Sequence, residues 1–483
     1  AAITVYDTKL GKKVSKTPPE LAGKTIAFPD QYTWKDGTPK PKSKTVTAAS
    51  PEGDPRLSPA SSVDFILPSS KGMFTMTTNL IPFLASDQAN RAEMATRHLE
   101  QSISLKNREA PLVQTHTGNV TKQGKETWEQ VVGRFVVQKA PVSGTVASVS
   151  PDAIKVRDNA GKLHTVPLYD NYPLNDVKSF IGSTPLVKKG DQVKRGQTIT
   201  DTNFTKDGVL ALGTNLRIAY LPYKGLVFED GIVISESAAE KLTSEHLHKA
   251  RNYVDKNMTT GLKKFRAHYP GVVTDANAKK LDEDGIIKKG ETVNPGEVIT
   301  TILQKTEPSK EQLLVKGIHR SLIRPFKDKS EVWEKGTPGV VTDVIKNGRE
   351  VTVYIKTEEK ADIGDKLSGR HGNKGVITAV IPDEEMPKNK DGEAIQIIVN
   401  PSGVPGRINP GQVLETQLAN VAKKTGQHYA VSNFEPDDDK KVVHVKGHYR
   451  TVQTKEGPKQ VYIEPYKYDR GYQEIVQEEL KKH

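Results

Sequence analysis

Cysteine is absent from the 483 residues. That excludes disulfide scaffolds, thiolate zinc sites and cysteine nucleophiles. No apolar run approaches the ~20 residues a spanning helix needs, so no membrane partner is expected. The first residues, Ala1-Ala2-Ile3-Thr4, lack a basic segment followed by an apolar stretch, so no secretory signal is expected and the chain reads as soluble and intracellular. Aromatic residues make up 6% and hydrophobic residues 35% of the chain, low but enough for separate cores. At roughly 100–200 residues per domain, the length suggests about two to four domains. Enzyme motifs are scarce as well. There is no GxxxxGK[ST] phosphate loop, no HExxH and no GxSxG elbow, nor a DxDxD cluster to hold two magnesium ions unaided. Sequons at Asn119, Asn203 and Asn257 are read as chance matches.

Glycine and proline are plentiful, at 38 and 30 residues, so turns are frequent. Lysine and arginine number 71 against 59 acids, leaving +12. Over so long a chain this is a modest field, as compatible with a solvated surface as with a nucleic-acid footprint. Residues 1–62 are rich in Pro, Lys, Ser and Thr and are expected to carry little core. After the apolar block Asn79-Leu80-Ile81-Pro82-Phe83-Leu84, Ala89, Ala92, Ala95 and Leu99 recur at helical spacing, with Ser86 or Asp87 as the expected N-cap. From 130 to 420 the pattern is mostly β. A strand is expected at 131–137, a hairpin around Asp158-Asn159-Ala160-Gly161, and a second around Asn347-Gly348. Lys188-Lys189-Gly190-Asp191-Gln192-Val193 returns 100 residues later as Lys288-Lys289-Gly290-Glu291-Thr292-Val293. Two readings stand: independent use of one turn, or two small barrel-like β modules. Glu435-Pro436-Asp437-Asp438-Asp439 is an acidic loop. Tyr472, Ile475, Val476 and Leu480 then form an apolar stripe suited to docking on its own domain or on a partner.

The segment from Gly364 to Gly375 holds four glycines together with Lys366, Arg370, His371 and Lys374. Glycines admit a ligand close to backbone amides, and lysines supply movable point charges, so the segment suits phosphate oxygens. Phe228-Glu229-Asp230-Gly231 puts two acids before a β-branched run, and Val404-Pro405-Gly406-Arg407 presents an arginine from a turn.

In order along the chain, these segments resemble the β subunit of bacterial-type multisubunit RNA polymerase. The match includes Val63-Asp64-Phe65-Ile66-Leu67-Pro68, the block from Asn79 to Ala92, Glu109-Ala110-Pro111-Leu112-Val113, Leu210-Ala211-Leu212-Gly213-Thr214-Asn215-Leu216, the Glu-Asp pair, the Gly-rich segment and the run from Asn400 to Thr416. It covers about 63–420 and, more faintly, 19–62. The resemblance implies that Lys366 and Lys374 lie beside the RNA 3′ end and nucleotide phosphates. Arg407 and Arg91 would contact the triphosphate, while Glu229 and Asp230 would sit near a second Mg2+. Gln101, Arg370, His371 and Asn373 would bind substrate or RNA. Two departures stand out: Arg97-His98-Leu99-Glu100-Gln101 replaces an Asn-Met-Gln-Arg-Gln run, and Gly406 replaces a small hydroxyl residue.

What the resemblance implies for the fold is a mainly β protein with some α, a double-psi β-barrel core with inserted small β modules. The barrel strands are expected from about 100–130, 205–235 and 360–410. The regions would be 1–62, an extended basic segment; 63–130, a helix-containing approach to the barrel; 131–200, an inserted β module; 201–254, barrel strands with the Glu-Asp pair; 255–345, a flap-like domain; 346–420, barrel strands with the Gly-rich motif; and 421–483, a tail and docking helix. By length the chain looks like the C-terminal half of a split β subunit, as in large bacteriophages, working in the host bacterial cytoplasm. Implied partners are the N-terminal β fragment, β′-like subunits that hold the primary Mg2+, a promoter-specificity factor, DNA, RNA and nucleoside triphosphates. The competing class is a non-catalytic basic nucleic-acid-binding or virion scaffold protein.

Overall fold

The computed structural model describes residues 3–35, 37–121, 124–174, 179–306 and 325–434, and 442–482 except 446–447, 455–456, 464–465 and 470. The acidic loop at 435–439 lies outside the described residues.

The N-terminal region carries more core than its composition suggests. Six short strands form one sheet in the order Lys12–Lys16, Ile3–Asp7, Phe65–Ile66, Ile26–Ala27, Thr45–Ala49 and Pro55–Pro59. Consecutive residues of a strand face opposite ways. Val5 therefore packs with Leu21, Phe65 and Leu67 on one face, and Tyr6 with Ala27, Tyr32, Val46 and Ile66 on the other. The sheet closes only because Phe65–Ile66, beyond the expected border at 62, inserts between Ile3–Asp7 and Ile26–Ala27.

Residues 131–137 are not a strand. All but Val137, the C-cap, lie in the helix Trp128–Val136, which opens on a reciprocal cap: Thr127 Oγ1 accepts from the Gln130 backbone N–H at 3.3 Å, and Gln130 Oε1 accepts from the Thr127 N–H at 3.2 Å. A Thr-x-x-Gln box outweighs the β preference of the valines that follow it. The helix buries Glu129 and Gly133, four residues apart and so on one side.

The sequence echo marks a structural duplication. Two four-stranded antiparallel sheets share one plan: Leu163–Pro167, Ala153–Asp158, Gly144–Val149, Gln192–Val193, and Ser244–Tyr253, Glu350–Glu359, Gly339–Asn347, Thr292–Val293. In each, the echoed glycine N–H donates to the second residue beyond a strand glycine, Gly190 to Val146 O and Gly290 to Val341 O, both at 2.8 Å. Both hairpins shift register directly after that residue. The chain order differs. The echoed strand follows its hairpin in the first sheet and precedes it in the second, so the two modules share a shape without sharing a chain path. The second module's core runs from Phe265 and Val273 through Trp333 to Val351, Val353 and Ile355. The expected border at 345/346 thus runs through a hairpin, and the module continues to Glu359. The hairpin turn is also one residue displaced from expectation. Asn347 pairs with Glu350, so Gly348 and Arg349 form the turn, and of these only Gly348 has a positive φ, at +59°.

A five-stranded mixed sheet joins the segments that carry the chemical motifs. Its order is Ile218–Tyr220, Ile397–Val399, Gly231–Ser235, Lys374–Ile381, Lys366–Ser368. Gly231–Ser235 is buried throughout, with Ile232 and Ile234 packed on Ile377 and Ala238 and Val233 on Ile398 and Met386. The strand expected from 100–130 is not part of this sheet. Val113–Thr121 pairs instead with Gly124–Thr127 and, in parallel, with Tyr429–Val431. The helix Gly411–Thr425 returns the chain for that pairing. The terminal helix Tyr472–Lys482 docks there too, with Val476 buried against Phe83, Val113, Leu418 and Val431.

Candidate active site

Lys366–Ser368 and Lys374–Ile381 form a hairpin in which Lys366 pairs with Val376 and Ser368 with Lys374. All four are exposed, while Gly375 and Ile377, which alternate with Lys374 and Val376, are buried. The two lysines therefore share one exposed face as diagonal neighbours, a geometry that puts Cα atoms ~7–8 Å apart.

Glycine lets this hairpin approach two other segments closely. Gly372 has φ +66°, and a Cβ there would lie 2.5 Å from the Arg91 carbonyl oxygen. A Cβ on Gly375 would lie 2.4 Å from the Asp230 carbonyl oxygen. Because of these approaches Arg91, in the first turn of the helix Ala89–Glu100, reaches the Gly372 carbonyl with Nη1 at 3.4 Å. Val376 N–H donates to Asp230 O at 2.9 Å, which fixes the acidic pair, with Glu229 at φ +51°, at the edge of the lysine face. Arg407 ends the short helix Gly403–Arg407 and its Nη2 donates to Asp230 Oδ1. Lys366, Lys374, Arg91, Arg407, Glu229 and Asp230, scattered over more than 300 residues of sequence, thus surround one loop. Gln101 is exposed at the C-terminal cap of the Arg91 helix, ten residues and so about 15 Å along its axis.

The other expected contacts turn inward. Arg370 donates to Val113 O at 2.6 Å, to Glu415 Oε1 at 2.7 Å and to Glu129 Oε1 at 3.4 Å. His371 is 1% exposed, with Nδ1 2.6 Å from Asp87 Oδ2 and Nε2 2.5 Å from Glu415 Oε2. Asn373 Nδ2 donates to Gln412 Oε1 at 3.1 Å. The side chains of Arg370 and His371, expected at substrate or RNA, are occupied by protein groups, and that of Asn373 bonds to Gln412. A loop that displays two cations has to be anchored by its other residues. Asp87 likewise does not cap its helix, where Gln88 takes the N-cap place. Its carboxylate accepts instead from His371 and, at 2.9 Å, from the Gly411 N–H opening the helix Gly411–Thr425, where the helix dipole favours an anion.

Electrostatics follow this wiring. Burial disfavours the His371 imidazolium, but the hydrogen bonds and charges of Asp87 and Glu415 prevail and raise its pKa. Burial also works against the Glu415 carboxylate, yet Arg370 and His371 outweigh it and hold its pKa at about 2. Glu129 behaves oppositely. Its burial dominates over Arg370 and the Thr115 amide, pushing it up to about 7. His98, bonded through Nδ1 to Ser368 Oγ at 2.7 Å, is held below its usual value by burial and by the charges of Lys374 and Arg91. Both cations thus lie within electrostatic reach of His98. Asp87, Glu129, Glu415, Ser368 and His98 were not identified from sequence as site residues. Ser368 stands within the Gly-rich segment, which is a signal in itself; for the other four only their distance from that loop, which sequence does not give, would have marked them. Behind the loop lies a cavity of about 290 Å³ lined by Glu129, Arg370, His371, Asn373 and Glu415 among others. A second of the same volume, reached by Asp230, Lys374 and Arg407, adjoins it. Among the described residues, no three His, Asp or Glu side chains converge as a metal-binding group.

Residues 139–465 match the family RNA polymerase Rpb2, domain 6. The chain belongs to this family. Similar proteins include the DNA-directed RNA polymerase subunit beta of Deinococcus radiodurans, 34% identical over 403 residues that make up 80% of this chain and 34% of that protein. The Rubrobacter xylanophilus subunit is 35% identical over 398 residues, 79% of this chain and 34% of its own length. The Thermus thermophilus subunit is 32% identical over 438 residues, 86% of this chain and 38% of its own length. The chain therefore spans about a third of the curated relatives it matches. Together, the family match and these relatives support the β-subunit resemblance drawn from the sequence motifs.

Proposed function

We propose that this chain forms one wall of the active site of a multisubunit DNA-directed RNA polymerase and works as a nucleotidyltransferase only with partner subunits. The observation that carries the reading is the gathering of Lys366, Lys374, Arg91 and Arg407 with Glu229 and Asp230 around a single glycine loop. Nucleotidyl transfer needs a triphosphate held in line and its growing negative charge neutralised. Lys366 and Lys374 serve the RNA 3′ end and the incoming phosphates. Arg407 and Arg91 grip the triphosphate, and Gln101 reaches the RNA backbone. Glu229 and Asp230, adjacent and exposed, suit two oxygen donors of a Mg2+ whose other ligands come from outside this chain. That ion, when bound, supplies positive charge against the phosphates. Arg407, released from Asp230, then turns to the triphosphate.

The remainder of β, β′-like subunits carrying the primary Mg2+ site, and a promoter-specificity factor complete this proposed enzyme on DNA, in the cytoplasm of a bacterial host. The five-stranded sheet is proposed to be part of a double-psi barrel. The further proposal that β is encoded in two pieces, as in large bacteriophages, is tested by the subunit masses of the native assembly. A separate subunit of this chain's 53.1 kDa beside a companion β fragment supports it. One continuous β overturns it. The function itself is tested by Lys374→Ala in the assembled enzyme. Nucleotide addition should slow about 100-fold or more, in line with loss of a transition-state charge contact, with assembly intact. Normal elongation by that enzyme refutes the active-site role given to Lys374, and a homo-oligomer of this chain coating DNA without partners refutes the polymerase reading in favour of a scaffold.

A further inference from the structure

We propose that Asp87, His371, Glu415, Arg370 and Glu129 are positioning residues, a largely buried chain of alternating acidic and basic groups that fixes where Lys366 and Lys374 stand. The proposal rests on the polymerase reading above and adds to it residues that touch no substrate.

The five groups follow one another without a gap: Asp87 to His371 at 2.6 Å, His371 to Glu415 at 2.5 Å, Glu415 to Arg370 at 2.7 Å and Arg370 to Glu129 at 3.4 Å. The ends are tied to backbone. Asp87 accepts from Gly411 N–H at 2.9 Å, and Glu129 from Thr115 N–H at 3.0 Å. The chain thus links the start of the Arg91 helix, the Gly-rich loop, the helix Gly411–Thr425, the helix Trp128–Val136 and the strand Val113–Thr121. The side chains of Asp87, His371 and Glu129 are 0%, 1% and 2% exposed.

Burying so many charges is a poor route to stability, because desolvation offsets the attraction and an apolar replacement often does as well. The geometry is informative for a different reason. The cavity of about 290 Å³ lies against the loop residues Gly369, Arg370, His371 and Asn373, so packing does not hold the loop from that side. Directional, charge-assisted bonds to Glu415 and Glu129, which line the same cavity, set its position there instead. Both charged residues in the turn, Arg370 and His371, are used for this, and the lysines on either side are left to the substrate. A displacement of about 1 Å in such a site costs about 100-fold in rate.

Arg370→Lys and His371→Gln, each in the full assembled polymerase, test the inference, with Lys374→Ala as reference. Lysine serves a phosphate well as a point charge but cannot span Val113 O, Glu415 and Glu129 at once. Arg370→Lys and His371→Gln should therefore lower kcat for single-nucleotide addition about tenfold or more while KM for the nucleotide stays within about threefold. The salt dependence of RNA retention should not change. If Arg370→Lys adds nucleotides at the normal rate, or if either variant changes the salt slope for RNA as loss of a phosphate contact does, the inference is overturned. Should His371→Gln fail to assemble, Arg370→Lys, which keeps charge and approximate length, decides alone. Slow Lys374→Ala with normal Arg370→Lys removes only this inference, whereas normal Lys374→Ala removes the active-site wall on which it rests.

Discussion

Gly372→Ala isolates the link between loop geometry and chemistry. The residue sits at φ +66°, and its new Cβ would lie 2.5 Å from the Arg91 carbonyl oxygen and 3.2 Å from the carbonyl carbon. Left-handed backbone costs an alanine about 1–2 kcal/mol. The contact adds overpacking, typically about 1–3 kcal/mol, because the obstacle is helix backbone and not the end of a flexible side chain. The total is about 2–5 kcal/mol, and the loop must retreat by roughly 0.9 Å to restore ordinary contact at 3.4 Å. Lys374 stands two residues along the same loop, so nucleotide addition should fall about 100-fold. Gly364→Ala is the matched control. Its φ is +95°, yet nothing lies within 4 Å of its Cβ, so it carries the backbone cost without the clash. Single-turnover addition and thermal melting of the assembled enzyme read both effects. Equal rates for the two variants would refute the claim that Gly372 is needed for close approach to the Arg91 helix.

Glu129→Gln should change how stability depends on pH. A carboxyl raised from 4.5 to about 7 favours the folded state fully below pH 4.5 and loses that contribution as pH rises through 7. The stability difference, variant minus wild type, should therefore grow by about 3 kcal/mol between pH 4.5 and 8. Denaturant titrations at both ends check it, and a pH-independent difference contradicts it. In the duplicated modules, Gly144→Ala would bring a Cβ 2.0 Å from the Arg157 carbonyl oxygen, while Gly339→Ala meets the Ile355 Cγ2 methyl at 2.4 Å. A side chain yields more readily than a paired strand, so hydrogen exchange should rise more in the first module than in the second. The reverse order would argue against equivalent roles for the two glycines.

Much of the site was legible because chemistry constrains residue type. Lysines between glycines and a turn-borne arginine suit phosphate whatever the fold, paired acids suit a cation, and those five side chains do surround one loop. For the same reason the inward turn of the Arg370 and His371 side chains was not foreseen. Residue type shows that a cation is present and not which anion it meets, and here the anions are Glu415, Glu129 and Asp87, 44 to 284 residues away along the chain. Residues 131–137 misled through a run of valines, although the deciding signal, Thr127 and Gln130, stood just upstream. The N-terminal core was hidden because its sheet takes a strand from Phe65–Ile66, and no local periodicity reports such a pairing.

The sequence by itself determined the kinds of groups available to the site, the positive-φ glycines that admit close approach and the paired turns of the two modules, since these depend on single residues and their immediate neighbours. Only the tertiary structure decided which cations stay exposed and which are neutralised in the interior. That choice depends on distances between side chains remote in sequence and on how much water each is left with.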